Sequence, residues 1–233
     1  MELLADRVEV AGLHGPLLLP TTLHASPRRV ELVAGDPGPG HVALALALAG
    51  RIRLAGGSVT LDGDPDTAAL RRHVALVDVP DVSAPEDAVT VRAAVAEQLA
   101  LAGLPSSRAA TRALLTAHGL QDLARERFEA LDPGARTRLL LDVAARRALT
   151  RVLVVTAPDR LGGRPEEWWS AAHRYAGEGL TVVVQCSHAT VRALGQPVRH
   201  ELGATQELGA EGGPGAAHER GAAHGAEAAE VVA

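Results

Sequence analysis

The sequence predicts an α/β domain built on a largely parallel sheet, and three observations predict it. Strand-like and helical runs alternate along most of the chain, as in folds where each parallel strand is followed by a crossover. Two runs, residues 151–155 and 181–184, are β-branched and nearly free of polar side chains, the composition of strands covered on both faces. A Gly/Pro loop at residues 35–40 stands between a short strand and an apolar helix.

Taken in order, Val30-Glu31-Leu32-Val33-Ala34 reads as a strand ending at Gly35, and residues 41–48 open a helix. Ser58-Val59-Thr60-Leu61 reads as a strand running into a turn at Asp62-Gly63. Val74-Ala75-Leu76-Val77 is a buried strand, and Pro80 interrupts it. Residues 88–130 are mostly helical with a break at Gly103-Leu104-Pro105, and residues 132–149 form a further helix. Past Leu202 the chain is Gly, Ala, Glu and His without periodicity, which buries too little apolar surface to order itself. The expected organisation is one domain over residues 1–202, with a helical subdomain at about 85–135, and a disordered tail over 203–233.

At 233 residues the chain is long enough to bury a core without disulfide or metal staples. Only 2% of it is aromatic, so that core must be aliphatic. A net charge of −5 gives no global reason to expect nucleic acid as a partner, and Arg pairs such as Arg28-Arg29 read as solvated. Cys186 is the single cysteine, which rules out an intramolecular disulfide and fits a reducing compartment. The first residues lack the basic start and apolar stretch of a signal peptide, and the longest apolar run, residues 42–49, is far short of the ~20 residues a membrane helix needs. The expected location is the cytoplasm, at the inner face of the cell membrane when a partner holds the chain there. No metal site is expected: His200, His218 and His224 match no ligand spacing.

The loop Gly35-Asp36-Pro37-Gly38-Pro39-Gly40-His41-Val42 lies where G-x-x-x-x-G-K-[ST] would cradle phosphate on backbone N–H groups and a helix N-terminus. Gly35 and Gly40 have that separation, and Gly38 adds a third glycine. The side chains that do the chemistry are absent. His41 stands in place of the lysine, Val42 in place of the Mg²⁺-binding hydroxyl, and the chain contains no lysine at all. Pro37 and Pro39 each remove an N–H from the anion nest. Alone, such a loop is more often a plain strand-to-helix connection.

Further landmarks follow in order. Gly56-Gly57-Ser58-Val59-Thr60-Leu61-Asp62-Gly63, Leu70-Arg71-Arg72-His73-Val74-Ala75-Leu76-Val77, Val89-Thr90-Val91-Arg92, Leu131-Asp132-Pro133-Gly134-Ala135-Arg136-Thr137-Arg138 and Val152-Leu153-Val154-Val155-Thr156-Ala157-Pro158 are spaced as a set. With these, the chain over roughly residues 5–200 resembles the ABC transporter ATP-binding family. The resemblance implies a P-loop NTPase-like fold with a parallel-sheet core and a helical subdomain. It also implies ATP hydrolysis at the two composite sites of a head-to-tail homo- or heterodimer, and a transmembrane permease subunit as partner.

Laid on that pattern, the working residues are missing. Val79 replaces the Gln that contacts Mg²⁺ and the attacking water, Thr156 the Mg²⁺-organising Asp, and Ala157 the Glu that polarises the water. Asp132 and Pro133 replace the Ser and a Gly of the signature, although Asp at the N-cap with Pro next is a strong helix start. Gly163 takes the place of the D-loop aspartate. His188 matches the switch histidine, or equally caps the next helix. The expectation is a degenerate member with weak ATP binding, no Mg²⁺ and little or no hydrolysis. The alternative is a non-enzymatic scaffold or regulatory protein with the same fold.

Overall fold

The computed structural model describes residues 1–204. The expected tail beyond Ala204, with His218 and His224, lies outside the described residues.

A parallel sheet carries the expected strands. Strands β3 (Val30–Ala34), β5 (Val74–Val77), β6 (Val152–Thr156), β7 (Thr181–Cys186) and the short β8 (His200–Glu201) pair in the order β5-β6-β7-β3-β8, every pair parallel. Central β6 and β7 are buried at every residue, which is why they read as near-continuous apolar runs. Helix α1 (Pro39–Leu48) follows β3, and α5 (Pro133–Arg146) precedes β6. Helix α5 stops short of the expected residue 149. Arg147 leaves the helix in an extended conformation, and the Thr150 hydroxyl donates to the Ala144 carbonyl at 3.0 Å, joining the Arg147 N–H on this end carbonyl.

A second sheet is not evident in the patterning. Strands β1 (Leu3–Gly12) and β2 (Gly15–Ala25) form a hairpin, and β4 (Gly56–Leu61) joins β1 on its other edge, all antiparallel. Gly57, at φ +74, is required where β4 crosses a bulge in β1: a Cβ there would come within 2.2 Å of the Arg7 carbonyl oxygen. Helices α2 (Thr67–His73), α3 (Val91–Leu101), α4 (Arg108–Ala117), α6 (Pro165–Gly177) and α7 (His188–Ala193) complete the fold, with 3-10 turns at Gln121–Leu123, Phe128–Ala130 and Pro158–Leu161. The expected helical stretch over 88–130 is thus helical only to Ala117 and ends in two such turns.

Side chains of the parallel strands alternate between two cores. Val33, Val74, Val152, Val154 and Val183 face α1 and the antiparallel sheet. Leu32, Val77, Leu153, Val155, Val182 and Val184 face the opposite way, toward α3 to α6. All four aromatic residues lie on that second side, at Phe128 and on α6. Helix α1 is therefore held between two surfaces without aromatic residues, and its N-terminus opens at the carboxyl ends of β3, β6 and β7.

One buried ion network ties the parts together. The Arg136 guanidinium on α5 donates to both oxygens of Asp78, which follows β5, and to Asp87, and it lies 4.7 Å from the centre of the Phe128 ring. Arg160, in the 3-10 turn after β6, meets the same Asp78 at 2.9 Å.

Candidate functional site

Strand β3 ends at Ala34, and α1 begins at Pro39 with Gly38 as its N-cap, where no side chain accepts from the first-turn N–H groups. Between this loop and the ends of β6 and β7 lies a cavity of about 440 Å³, walled by Pro37, His41, Val42, Thr156, Ala157 and Ser187 among others. The structure thus brings together Gly35, Gly38, His41, Val42, Thr156 and Ala157, which are far apart in sequence.

Of the three loop glycines, only Gly35 is required by packing. A Cβ there would fall 2.3 Å from the Leu202 side chain, whereas Gly38 faces open space and Gly40 has ordinary contacts. Gly38 is also extended, at φ 164, so its backbone demands no glycine.

The cavity floor is polar but lacks charge. His41 is 5% exposed, and burial holds its imidazole below the ordinary histidine pKa despite Gly35, Gln185 and Asp159 nearby. Thr156 pairs in register with Gln185. The Thr156 hydroxyl, both polar atoms of the Gln185 amide and His41 Nδ1 are buried without a hydrogen-bond partner among the described residues. Because the unfolded chain binds the His41 proton more readily, stability is fully present above pH about 6.5 and declines as pH falls below it. The slope is at most about 1.4 kcal/mol per pH unit from this one group. Urea unfolding at pH 7.0 and 5.5 should show the decline in the natural chain and a shallower one in His41→Asn.

Both charged side chains on the cavity wall are already committed. Arg160 donates to the carbonyls of Thr156 and Ala157, each at 3.1 Å, as well as pairing with Asp78. Burial works against Asp159 ionising, but hydrogen bonds from Thr190 (2.6 Å) and the Ser187 N–H (2.9 Å) prevail and hold its carboxyl below the usual range. Ala157 sits in the left-handed region, at φ 44.

His188 lies in the first turn of α7 but does not cap it; Ser187 does, accepting from the Thr190 N–H. His188 Nε2 meets Glu201 at 2.8 Å, and Nδ1 stands 3.8 Å from Asp36 of the loop. His200 lies beside Glu31, 3.7 Å away. Val79 is fully buried. At α5, Asp132 is the N-cap and accepts from Ala135 N–H at 3.1 Å. The side chain of Glu167, drawn in by Arg138 and Arg164, packs directly against Gly134. Gln185, Asp159, Arg160, Glu201 and Glu167 carry no motif that would have marked them; the bonds their side chains make span 13 residues or more in sequence, apart from those of Arg160 with Thr156 and Ala157 and of Glu167 with Arg164.

No protein-family model and no curated protein matches the sequence. Solved structures do. An ATP-binding subunit of an ABC transporter aligns with TM-score 0.56 at 16% identity over 82% of each chain. A Pyrococcus furiosus protein described as an ABC transporter (ATP-binding protein) gives 0.60 at 15% identity, over 81% of this chain and 92% of that one. The cbiO1 protein of Clostridium perfringens, described as part of the ABC transporter complex cbiONQ, gives 0.56 at 18% identity over 80% and 78%. The chain has the fold of ABC-transporter ATP-binding subunits. That fold, P-loop NTPase-like with a parallel five-stranded sheet, is the one the resemblance implied. Among the described residues no helix is long and apolar enough to cross a membrane.

Proposed function

We propose that this chain is a transporter-type ATP-binding-cassette subunit that keeps the fold, binds ATP weakly and without Mg²⁺, and hydrolyses it little or not at all, acting with a membrane partner. The observation that carries this reading is the wall of the cavity at the start of α1. Neutral His41, aliphatic Val42, Thr156 and Ala157 stand there in place of an ammonium group, a metal-binding hydroxyl and two carboxylates.

The residues present do not fit Mg-ATP. Mg²⁺ prefers anionic oxygen ligands, and the one carboxylate on the wall among the described residues, Asp159, is taken by Ser187 and Thr190. The triphosphate would find neither a free cation, since Arg160 is tied to Asp78 and to carbonyls, nor the N–H groups that Pro37 and Pro39 lack. Among the described residues no Phe, Tyr or Trp side chain lines the cavity to stack a purine. At the start of α5, where the family places the partner nucleotide's γ-phosphate, a built-in carboxylate from Glu167 covers Gly134. Both halves of a composite site are affected, so no catalytic step is assigned to these residues.

The membrane partner rests on two supports. The cbiO1 protein of like fold is described as part of a transporter complex. The segment after Val79, where the resemblance places contact with a permease, borders a groove of about 310 Å³ rimmed by the exposed Val82 and Leu101. Calorimetric titration with Mg-ATP tests the first half of the reading: no binding tighter than about millimolar is expected, and a micromolar Kd sinks it. Co-purification tests the second, since recovery with a soluble protein alone favours the scaffold reading.

A further inference from the structure

At the opposite end of the parallel sheet from the α1 loop, the fold assembles a second cavity, of about 250 Å³, from three distant parts of the sequence. Arg28 and Arg29 come from the turn before β3. Trp169 and His173 come from one face of α6, and Gln196 and Arg199 from the segment leading into β8.

The turn is rigidly placed. Arg28 adopts the left-handed conformation at φ 64, its N–H donates to the Leu180 carbonyl at 3.0 Å, and the Arg29 carbonyl accepts from Val182 N–H at 3.1 Å. Both side chains are exposed at the cavity, and neither guanidinium has a carboxylate partner among the described residues. The Trp169 and His173 rings meet edge to face, centroids 4.3 Å apart at 83°, and form one wall. Among the described residues the single carboxylate in the lining, Glu31, is itself 10% exposed and lies against His200.

A chain with net charge −5 therefore carries here a concave patch that Arg28 and Arg29 both line, with no carboxylate paired to either among the described residues. Choice of Arg over Lys says nothing, because the chain has no lysine. What is informative is the placement of these cations beside an aromatic wall from α6, which no local sequence feature requires. Guanidinium forks match the oxygens of phosphate, and an aromatic wall suits a planar ring. The volume is below the ~300–1,000 Å³ of ordinary drug-sized pockets, so a single phosphate with one ring system fits better than a triphosphate or a polymer.

We propose that this cavity binds a phosphate-bearing small molecule with a planar ring, Arg28 and Arg29 holding the phosphate and the Trp169–His173 wall the ring. The inference is independent of how the α1 loop behaves.

The two tryptophans are the natural reporter, since Trp169 lines the cavity and Trp168 is buried in the core. The full chain would be titrated with AMP, ribose 5-phosphate, adenosine and inorganic phosphate, followed by tryptophan fluorescence and calorimetry. AMP is expected to bind most tightly and to change the fluorescence, a change absent in Trp169→Phe. Arg28→Gly, which the positive φ accommodates, and Arg29→Gln should each weaken AMP by about tenfold, and the pair should abolish binding while leaving the thermal midpoint within a few degrees. Four results overturn the proposal: no response to any probe at millimolar concentration, AMP binding that survives the double variant, ribose 5-phosphate binding as well as AMP, or preference for a poly-glutamate peptide over AMP at the same arginines.

Discussion

Replacing Asp78 by asparagine is expected to lower stability by about 3 kcal/mol. Asp78 is 2% exposed and serves two guanidinium groups at once: Arg136, nearly as buried, and Arg160. Asparagine keeps a carbonyl oxygen and tolerates the left-handed conformation at φ 56, so backbone strain does not confuse the result. What is lost is the charge that compensates the buried Arg136. Removing Arg136 instead, as Arg136→Met, should cost distinctly less. Asp78 then keeps Arg160, and the methionine side chain retains the apolar contact with Phe128. Urea midpoints at constant m-value give the comparison. Equal losses in the two variants would show that the network is not organised around Asp78.

This network also marks the limit of what the sequence reveals. Strands β3, β5, β6 and β7 are legible because a strand covered on both faces must be apolar at successive positions, as Val152–Thr156 nearly is. The β1–β2 hairpin is not, because Arg7 at φ 45 and register shifts around Val8 break the period-2 alternation, and Pro16 and Pro20 interrupt β2. Helix α6 carries a readable signal that the strand-led reading passes over: Trp168, Ala171, Ala172 and Tyr175 repeat at three- and four-residue spacing behind Pro165, and all four are buried.

At the site, the missing lysine and carboxylates can be read directly from residues 35–42 and 156–157. The engagement of Asp159 and Arg160, and the cover Glu167 lays over Gly134, cannot. Each depends on side chains meeting across the ends of β5, β6 and β7, the start of α7, and between α5 and α6, and only the packed fold fixes those meetings.

If the cavity at α1 has lost nucleotide for the reasons given, restoring the lost groups should restore binding and turnover in separate steps. A chain carrying Pro37→Gly, Pro39→Gly and His41→Lys regains two N–H donors and an ammonium group at the loop. Each charge-assisted hydrogen bond is worth ~1.5–3 kcal/mol, about one to two decades in affinity, so Mg-ATP binding is expected to tighten at least a hundredfold. The gain need not be additive, because the introduced ammonium must leave the shelter that suits neutral His41 and reach the cavity past Asp159. Turnover should remain near zero in that variant, since neither Thr156 nor Ala157 organises Mg²⁺ or activates water. Adding Thr156→Asp and Ala157→Glu should raise phosphate release by ~10²–10⁴ over the three-site variant, the range a positioned general base contributes. Hydrolysis in a self-paired chain should still lag an ordinary enzyme, because Glu167 continues to cover Gly134 at the start of α5. Calorimetry and phosphate release measure the two steps. Unchanged affinity in the three-site variant would mean that the loop's lost donors are not what excludes nucleotide.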